Sequence, residues 1–175
     1  MIRAPTTIAT ARLGLRAPRP DDAAAMFATY AGDPAATRYM GWPTHASVDT
    51  TRGFLAATAV EWARHGCGTY LIELDGRVIG STGLHLDGIG GATTGYILGS
   101  PWWGRGFATE ACRAMMALTV ELGLVHVEAV CHVGHAASAR VLTKAGLRYV
   151  GVRPAHLVFP QLGPELRDVL SYAWP

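Results

Sequence analysis

The clearest pattern of apolar and polar positions lies in residues 95–123, where a short apolar strand precedes an amphipathic helix. The residues Tyr96, Ile97 and Leu98 favour a buried strand, and Pro101 ends it because proline cannot donate to a sheet. In the helix, small and apolar residues recur at intervals of three and four, which is typical of one buried face. These residues are Ala108, Ala111, Met115, Leu118 and Leu122. Gly123 stands where a left-handed C-cap belongs, so we expect the helix to end there.

The turn between this strand and this helix contains two glycines, in the order Gly104-Arg105-Gly106. The first turn of a helix leaves backbone N–H groups without partners and carries a partial positive charge. Glycine leaves such amides uncovered, and the Arg105 side chain is free to add a charge-assisted contact. The turn therefore predicts a site for a phosphate or pyrophosphate. The alternative is a helix start that needs glycine only for a tight turn.

Similar patterns predict strands and helices on both sides of this unit. The strongest signal is a hairpin, because Asp75-Gly76 separates two apolar runs, Thr69 to Leu74 and Arg77 to Leu84. The other predicted strands are Arg12 to Arg16, Val127 to Cys131, Tyr149 to Phe159 and Leu166 to Trp174. The other predicted helices run from about Asp21 to Tyr30, Ser47 to His65 and Ala136 to Ala145. Strand, helix and hairpin signals are thus interleaved along the chain.

This order of elements predicts an α/β (α+β) domain with a mixed sheet. The strand of residues 127–131 follows a helix, which favours a parallel pairing with the Tyr96 strand, whereas the preceding strands form an antiparallel meander. With 175 residues, of which 50% are hydrophobic, the chain can bury one substantial core. We expect a single domain over residues 1–175, with residues 1–10 as a flexible tail.

Composition and charge exclude several classes of protein. The formal net charge is +2, with 15 basic and 13 acidic residues well mixed, so there is no electrostatic footprint for nucleic acid. Three cysteines with no C-x-x-C pair argue against a secreted disulfide framework and favour the cytoplasm. The chain contains neither a signal-peptide pattern nor an apolar run of about 20 residues, so no contact with a membrane is expected.

Two familiar phosphate motifs fit the glycine turn poorly. A P-loop needs lysine and then serine or threonine after its last glycine, but here Gly106 is followed by Phe107 and Ala108. The dinucleotide fingerprint G-x-G-x-x-G has Thr109 in place of its third glycine, although Glu128 lies at about the distance expected for a ribose-binding acid. A nucleotide-binding oxidoreductase therefore stays only a remote alternative.

The string YILGSPWWGRGFATEA resembles the acyl-CoA-binding motif of the GCN5-related N-acetyltransferases, in particular the branch that acetylates ribosomal protein N-termini. Gly106 and Ala108 fill the last two positions of [Q/R]-x-x-G-x-[G/A], and Trp103 occupies the Gln/Arg position. The resemblance implies a sheet of about seven strands with a splayed parallel pair at strands four and five, flanked by about four helices. It also implies acetyl-CoA as co-substrate and no metal. The implied cofactor-binding residues are Tyr96, Ile97, Leu98, Trp103, Gly104, Arg105, Gly106, Ala108, Thr109, His135 and Ser138.

A second segment, HAASARVLTKAGL, resembles the family pattern N-x-x-S-x-x-[VL]-[LV]-x-K-x-G-[FL]. His135 stands where asparagine is usual, and imidazole still offers one donor or one acceptor to the cofactor. Ser138 matches a serine near the CoA sulfur that relays a proton to it, although a helix-capping serine is the alternative. Arg140 and Lys144, four residues apart, share a helix face from which they reach CoA phosphates or remain solvated.

Acetyl transfer needs a neutral amine, and an alkyl amine has a pKa of about 10.4, so something must accept its proton. Many relatives carry a glutamate on the strand where this chain has Thr93 and Thr94. His156 lies close to the position of a glutamate that other relatives use, and histidine titrates near neutrality. We therefore predict His156 and Ser138 as catalytic residues, with His85 as the alternative base.

The acceptor site is predicted from two regions. Asp168 and Tyr172 match a D-x-x-x-Y pattern of the family on the last strand, and Tyr39, Trp42 and His45 would line the other side. Neither the loop of residues 39–45 nor that of residues 159–164 carries the carboxylates that a polycationic acceptor would favour. A small-molecule amine or a peptide N-terminus fits better, and the protein is a monomer or a homodimer. The alternative is a non-catalytic acyl-CoA-binding or sensor domain of the same fold.

Overall fold

The computed structural model describes residues 3–175, which form an eight-stranded sheet in the order β1-β2-β3-β4-β5-β6-β8-β7. The strands are β1 Thr7–Ala9, β2 Gly14–Arg16, β3 Thr69–Leu74, β4 Arg77–Leu86, β5 Gly91–Leu98, β6 His126–His132, β7 Arg148–Val158 and β8 Leu166–Trp174. The helices are α1 Ala23–Met26, α2 Pro34–Thr37, α3 Val48–His65, α4 Phe107–Glu121 and α5 Ala136–Lys144. This is the predicted mixed α/β fold.

The sheet has one strand more than predicted, because part of the expected N-terminal tail belongs to it. Strand β1 pairs antiparallel with β2, with Ile8 opposite Leu15, so Thr7–Ala9 is ordered sheet and not a tail. Residues 1 and 2 of the predicted tail lie outside the described residues. The parallel pair is consequently β5 and β6, which are the fourth and fifth strands when β1 is left out.

The predicted hairpin and meander are confirmed. Asp75 and Gly76 both have positive φ, 50° and 74°, as a type I′ turn between β3 and β4 requires. Strand β4 pairs antiparallel with both β3 and β5, from Thr69 opposite Gly83 to Leu86 opposite Ala92. This continuous pairing fixes the position of β5 in the sheet.

The parallel pair separates soon after it begins. Strands β5 and β6 pair only over Gly91 to Thr93 and His126 to Glu128, and β6 continues along β8 on its other side. Beyond Thr93, β5 therefore has a free edge facing β6. We call the gap between the two strands the slot.

Apolar side chains cover both faces of the sheet. Met115 and Leu118 of α4 and Leu142 of α5 join the larger cluster on one face. Met26 and Leu55, from α1 and α3, pack with Ile97 on the other face. Burying apolar side chains on both sides fixes the position of β5, because each residue removed from water contributes roughly 1.5–3 kcal/mol.

The first predicted helix is less regular than expected. The segment begins as a 3-10 turn, Pro20–Asp22, continues as α1 and ends as a π-helix, Phe27–Ala31. Helix α4 ends close to its predicted boundary, with Gly123 in the left-handed region at φ 66°. None of the helices within residues 3–175 is long and apolar enough to span a membrane.

Candidate active site

The glycine turn adopts a backbone conformation that presents its amides outward. Gly104 and Gly106 have φ of 72° and 83°, in the left-handed region that favours glycine, and Gly106 is the N-cap of α4. A Cβ atom on Gly104 would meet no other atom within 4 Å, so the space over the turn is open. The turn is therefore an exposed concave backbone surface at a helix N-terminus.

The amides of this turn have no acceptor among residues 3–175. The first amide that donates in the helical pattern is that of Glu110, to the Gly106 carbonyl at 3.1 Å, and the amides from Gly104 to Thr109 donate to none of the described residues. Unpaired N–H groups at a helix N-terminus, together with the helix dipole, attract an anion. This arrangement is what a pyrophosphate group requires.

Glu110 lies one turn into α4, but it does not obstruct the open amides. Its carboxylate accepts hydrogen bonds from the Thr10 hydroxyl at 2.6 Å and from the Arg12 backbone and Nε at 2.8 and 2.7 Å. Burial opposes the shift, but the bonds from Thr10 and Arg12 hold the pKa of Glu110 below its usual value. The pairing ties the N-terminal segment to α4 and keeps the carboxylate away from the turn.

A cavity of about 970 Å³ extends from the glycine turn through the slot between β5 and β6. Most of the residues that the sequence predicts for the cofactor lie on its wall. They are Tyr96, Ile97, Leu98, Trp103, Gly104, Gly106, Ala108, Thr109, His135 and Ser138. Arg105 is absent from the wall, because its guanidinium stacks over the Phe107 ring, 5.0 Å from the centroid.

Trp103 closes the loop between β5 and α4. Its indole N–H donates to the Leu98 carbonyl at 2.8 Å, while half of the residue stays exposed. The bond fixes the path of residues 98–103 and so the position of the glycine turn relative to β5. Trp103 therefore positions the glycine turn through the hydrogen bond of its side chain.

Three polar side chains from the two separated strands and α5 lie close together. Burial raises the pKa of the Tyr96 hydroxyl and that of the Cys131 thiol, and a contact with Ser138 opposes both shifts. Tyr96 comes from β5, Cys131 from β6 and Ser138 from the first turn of α5. Ser138 thus lies between the two separated strands, where a thioester threaded through the slot would pass.

Aromatic rings form one part of the cavity wall and the layer behind it. The Tyr39 ring stacks on the His132 ring, with 5.2 Å between the ring centroids, and contacts the His135 ring edge-on, with 4.5 Å between the centroids. Phe159 packs edge-on against His132 at 5.0 Å, and the Arg38 guanidinium lies 5.6 Å from the Tyr39 centroid. We call the five residues Arg38, Tyr39, His132, His135 and Phe159 the aromatic wall.

His135 is the unusual member of the aromatic wall. Both of its ring nitrogens are buried, and neither has a hydrogen-bond partner within residues 3–175. Burial lowers the pKa of His135, and the neighbouring His132 lowers it further, so the ring is neutral near pH 7. A neutral imidazole offers one acceptor and one donor, and His135 lines the cavity. Because both nitrogens are buried, a molecule in the cavity becomes their partner only when the ring turns toward it.

The other predicted residues lie outside the cavity. His156 is exposed on β7, between irregular register positions. Asp168 accepts a hydrogen bond from the Ala155 backbone at 2.9 Å, and Tyr172 is only 4% exposed within the core. In the loop before α3, His45 is hydrogen-bonded to Thr51 at 2.8 Å, and its ring lies 5.1 Å from that of Trp42. Of the predicted acceptor residues, Tyr39 alone lines the cavity.

Sequence reasoning missed several residues of the site. Arg38 and Phe159 line the cavity, and Gln161 positions the Tyr39 loop by donating to the Thr37 and Trp42 carbonyls at 2.8 and 3.0 Å. Arg38 is adjacent to the predicted Tyr39 and could have been included on that ground. The sequence places the loops of residues 39–45 and 159–164 at the same acceptor site, but nothing in its pattern singles out Phe159 or Gln161.

The charged side chains on the cavity wall are all positive. Its charged residues are Arg38, Arg140 and Lys144, and no aspartate or glutamate of residues 3–175 lines it. The same part of the chain contains no group of three His, Cys, Asp or Glu residues that could hold a metal ion. The positive charges of the wall therefore suit an anionic cofactor. The side chain available there to accept a proton is the imidazole of His135, and not a carboxylate.

The chain belongs to the GNAT acetyltransferases, since residues 12–148 match the family model described as an acetyltransferase (GNAT) domain. No curated protein matches the sequence. Solved structures of low sequence identity share its fold over almost the whole chain, and some of their titles state a bound coenzyme A or acetyl-CoA.

Three of these structures illustrate the likeness. RimJ from Mycobacterium smegmatis, in complex with CoA-disulfide, is 25% identical, with a TM-score of 0.82 over 99% of this chain and 84% of that one. RimL, a ribosomal L7/L12 alpha-N-protein acetyltransferase in complex with coenzyme A, is 20% identical, with a TM-score of 0.85 over 96% and 97%. The microcin C7 self-immunity acetyltransferase MccE, with acetyl-CoA and AMP, is 16% identical, with a TM-score of 0.86 over 98% and 97%.

Proposed function

We propose that this protein transfers the acetyl group of acetyl-CoA directly to a primary amine, on a small molecule or a peptide or protein N-terminus, within a ternary complex. The observation that carries the proposal is the row of open amides from Gly104 to Thr109 at one end of a cavity that continues through the slot. The solved RimL and MccE complexes, with coenzyme A and acetyl-CoA, support the same cofactor.

The cofactor would lie along the cavity with its pyrophosphate on the glycine turn. Open amides and the dipole of α4 stabilise the phosphate charge, and Arg140 and Lys144 add cationic side chains nearby. The pantetheine arm would follow the free edge of β5, where Tyr96 to Leu98 line the slot. The thioester then reaches Ser138 and the aromatic wall.

The reaction at the thioester needs a donor for the developing oxyanion and for the departing thiolate. Backbone N–H groups on the free edge of β5 can stabilise an oxyanion without a dedicated side chain. A thiolate is already a fair leaving group, since the pKa of a thiol is about 8.5. The Ser138 hydroxyl, held between Tyr96 and Cys131, donates a hydrogen bond to the sulfur as it leaves.

The proton of the amine needs an acceptor, and two histidines compete for this role. The sequence predicts His156, which is exposed on β7. His135 lines the cavity, is kept neutral by burial and has no other partner within residues 3–175. A general base must come within hydrogen-bond reach of the proton that it takes, and we assign this role to His135 with its ring turned so that one nitrogen faces the cavity.

All three cysteines, Cys67, Cys112 and Cys131, are buried free thiols, which supports the cytoplasm as the compartment. Cys131 also lines the cavity and offers a possible acetyl carrier for a two-step reaction. Burial raises the pKa of its thiol, however, which leaves little of the nucleophilic thiolate near neutral pH. Direct transfer is therefore the simpler mechanism.

The test is a thiol-release assay with acetyl-CoA and a panel of amino acids, peptides and simple amines. We expect release of free CoA that depends on one class of amine, with intersecting lines in initial-velocity plots. Cys131→Ala should keep most of the rate, because no acetyl-cysteine intermediate is formed. Parallel lines, together with an inactive Cys131→Ala variant that still binds CoA, would contradict direct transfer.

Calorimetry with CoA provides the matching binding measurement. Tight binding without turnover on any amine would overturn the enzymatic proposal and favour the non-catalytic acyl-CoA-binding domain. Tight binding of NAD and no binding of CoA would favour an oxidoreductase instead. In either case the proposed acetyl transfer fails.

A further inference from the structure

The charges on the cavity wall fall into two groups that lie at different places along the chain. Arg140 and Lys144 are four residues apart on α5, and α5 begins next to the slot. Arg38 stands apart from them, directly after α2 and next to Tyr39 of the aromatic wall. The cationic pair on α5 can bind the phosphates of the cofactor. No group of the cofactor is proposed to lie next to Arg38, so its charge needs another partner.

The Arg38 guanidinium forms no ion pair with any side chain of residues 3–175. The ion pairs within residues 3–175 involve other arginines and histidines, and none includes Arg38. Its guanidinium is oriented only by the Tyr39 ring, 5.6 Å away, and the residue is exposed. A planar guanidinium stacked on an aromatic face keeps its N–H donors free for a carboxylate.

Tyr39 brings this guanidinium close to the assigned base. Its ring contacts His135 on one side at 4.5 Å and carries Arg38 at 5.6 Å. His135 is a hydrogen-bond acceptor for an amine, and Arg38 is a donor for an anion. The two groups therefore suit a molecule that carries a reacting nitrogen and a negative charge a short distance apart.

We propose that the acceptor is an amine with a carboxylate within a few bonds of its nitrogen, such as an α-amino acid or an acidic peptide N-terminus, and that Arg38 binds this carboxylate. The inference rests on the acetyl transfer proposed above and adds the acceptor class. Polyamines and aminoglycosides are disfavoured, because every charged side chain on the wall is cationic.

Matched acceptors test this inference, since the members of each pair differ in the carboxylate; rates are compared per concentration of neutral amine, because amidation also lowers the pKa of a neighbouring α-amine. One arm compares amino acids with their α-amides, and the other compares amidated peptides that carry Asp or Asn at the second position. A charge-assisted hydrogen bond contributes about 1.5–3 kcal/mol, so we expect kcat/KM to favour the carboxylate about 10- to 100-fold. The arm with the larger ratio tells whether the carboxylate belongs to a free amino acid or to a peptide.

Arg38→Gln should bring the ratio of kcat/KM for each pair close to one, and Arg38→Lys should keep part of it. Both variants should keep the wild-type KM for acetyl-CoA, because Arg38 lies at the acceptor end. The matched control is Arg140→Gln, which removes a cationic group from the same cavity wall. We expect it to raise the KM for acetyl-CoA and to leave the carboxylate preference intact.

Two outcomes overturn the inference while the proposed function survives. In one, acetylation proceeds equally well with the acids and the amides. In the other, Arg38→Gln raises the KM for acetyl-CoA and leaves the preference unchanged, which would assign Arg38 to the cofactor. If no amine is acetylated although CoA binds, the proposed function itself fails, and the acceptor class fails with it.

Discussion

The two ends of the cavity are built in different ways. The end proposed for the cofactor is centred on one stretch of chain, residues 96–109, whose open groups are backbone amides, and α5 adds Ser138, Arg140 and Lys144. The acceptor end collects side chains from three separate segments, around Tyr39, His135 and Phe159. One end therefore depends on backbone conformation and the other on the identity of individual side chains.

This difference has a consequence for specificity. Amides on a glycine turn bind any pyrophosphate of suitable shape, whatever side chains surround it. An aromatic wall with one guanidinium and two imidazoles selects among acceptors by charge and shape. Substitutions at the two ends should consequently affect different kinetic parameters, and the following experiments test that separation.

The largest effect is expected at the acceptor end, for His135→Gln. Removing a general base lowers the rate by about 100-fold or more, so kcat should fall while CoA still binds. The matched control is His156→Gln, on exposed β7, which we expect to change kcat little. Steady-state kinetics at saturating acetyl-CoA measure both, and the opposite order of the two effects would restore His156 as the base.

The pH profile of the wild-type protein tests the same assignment. A base acts when it is deprotonated, and burial together with His132 lowers the pKa of His135. At saturating amine, kcat should therefore hold constant from pH 8 to about 6.5, the usual pKa of histidine, and decline only as the pH falls through the lowered value, whereas kcat/KM also follows the titration of the free amine. A profile that is already falling well above pH 6.5 would argue against His135.

The second largest effect should appear at the cofactor end, for Gly104→Ala. A Cβ at φ 72° strains the turn and projects into the open space where the phosphates would lie. Loss of one charge-assisted bond should weaken CoA binding at least about tenfold in calorimetry. Gly123→Ala is the control, because Gly123 has φ 66° and open surroundings at the other end of α4.

Both glycine variants should lose similar stability, of about 1–2 kcal/mol, because both force a left-handed conformation on alanine. Only Gly104→Ala should lose CoA affinity. Equal affinities in the two variants would mean that the turn does not hold the cofactor.

Much of the fold could be predicted from the sequence, since it depends on local signals. Asp75-Gly76 specifies a hairpin by itself, and the periodic stripe of α4 makes a parallel pairing of β5 with β6 the natural result. Strand β1 was missed because three residues, Thr7–Ala9, are too few for an alternating pattern. The π-helix after Met26 carries no recognisable local signal.

The two ends of the site also differ in how well the sequence predicts them, because one depends on local signals and the other on contacts between distant segments. The open amides of the glycine turn could be predicted because they follow from two closely spaced glycines, Gly104 and Gly106, and a helix start. The acceptor end could not, because the spacing of Asp168 and Tyr172 says nothing of whether the core or the cavity receives them. Arg38, His135 and Phe159 meet only after the loop of residues 159–162 packs against the Tyr39 loop, a contact between segments far apart in the chain.

A moderate effect on acceptor binding alone is expected for Gln161→Met. The side-chain amide donates to carbonyls on both sides of the Tyr39 loop, and methionine fills a similar volume without those bonds. At about 1 kcal/mol per hydrogen bond, the acceptor KM should rise about five- to thirtyfold with little change in CoA affinity.

Trp103→Phe is the counterpart at the cofactor end, because it removes the single bond to the Leu98 carbonyl. It should weaken CoA binding about fivefold and leave the acceptor KM nearly constant. If both variants change both parameters equally, the two ends are mechanically coupled and not separate.

The smallest effect is an acid-induced loss of stability that originates at the acceptor end. At this end burial lowers the pKa of His132 and His135, whereas no histidine lies on the glycine turn. Burial also lowers the pKa of His45, which lies outside the cavity in the loop before α3. The unfolded chain then binds more protons than the folded one once the pH falls below about 6.5, so the free energy of unfolding declines from there toward the lowered pKa values. Urea unfolding at pH 7.5 and 5.5 measures the loss, which should be smaller in His132→Gln. Because the lowered pKa values of Asp22, Asp87 and Glu110 act only below the usual carboxyl range, this pH window isolates the histidines. A loss of stability as large in the variant as in the wild-type protein would show that His132 does not contribute.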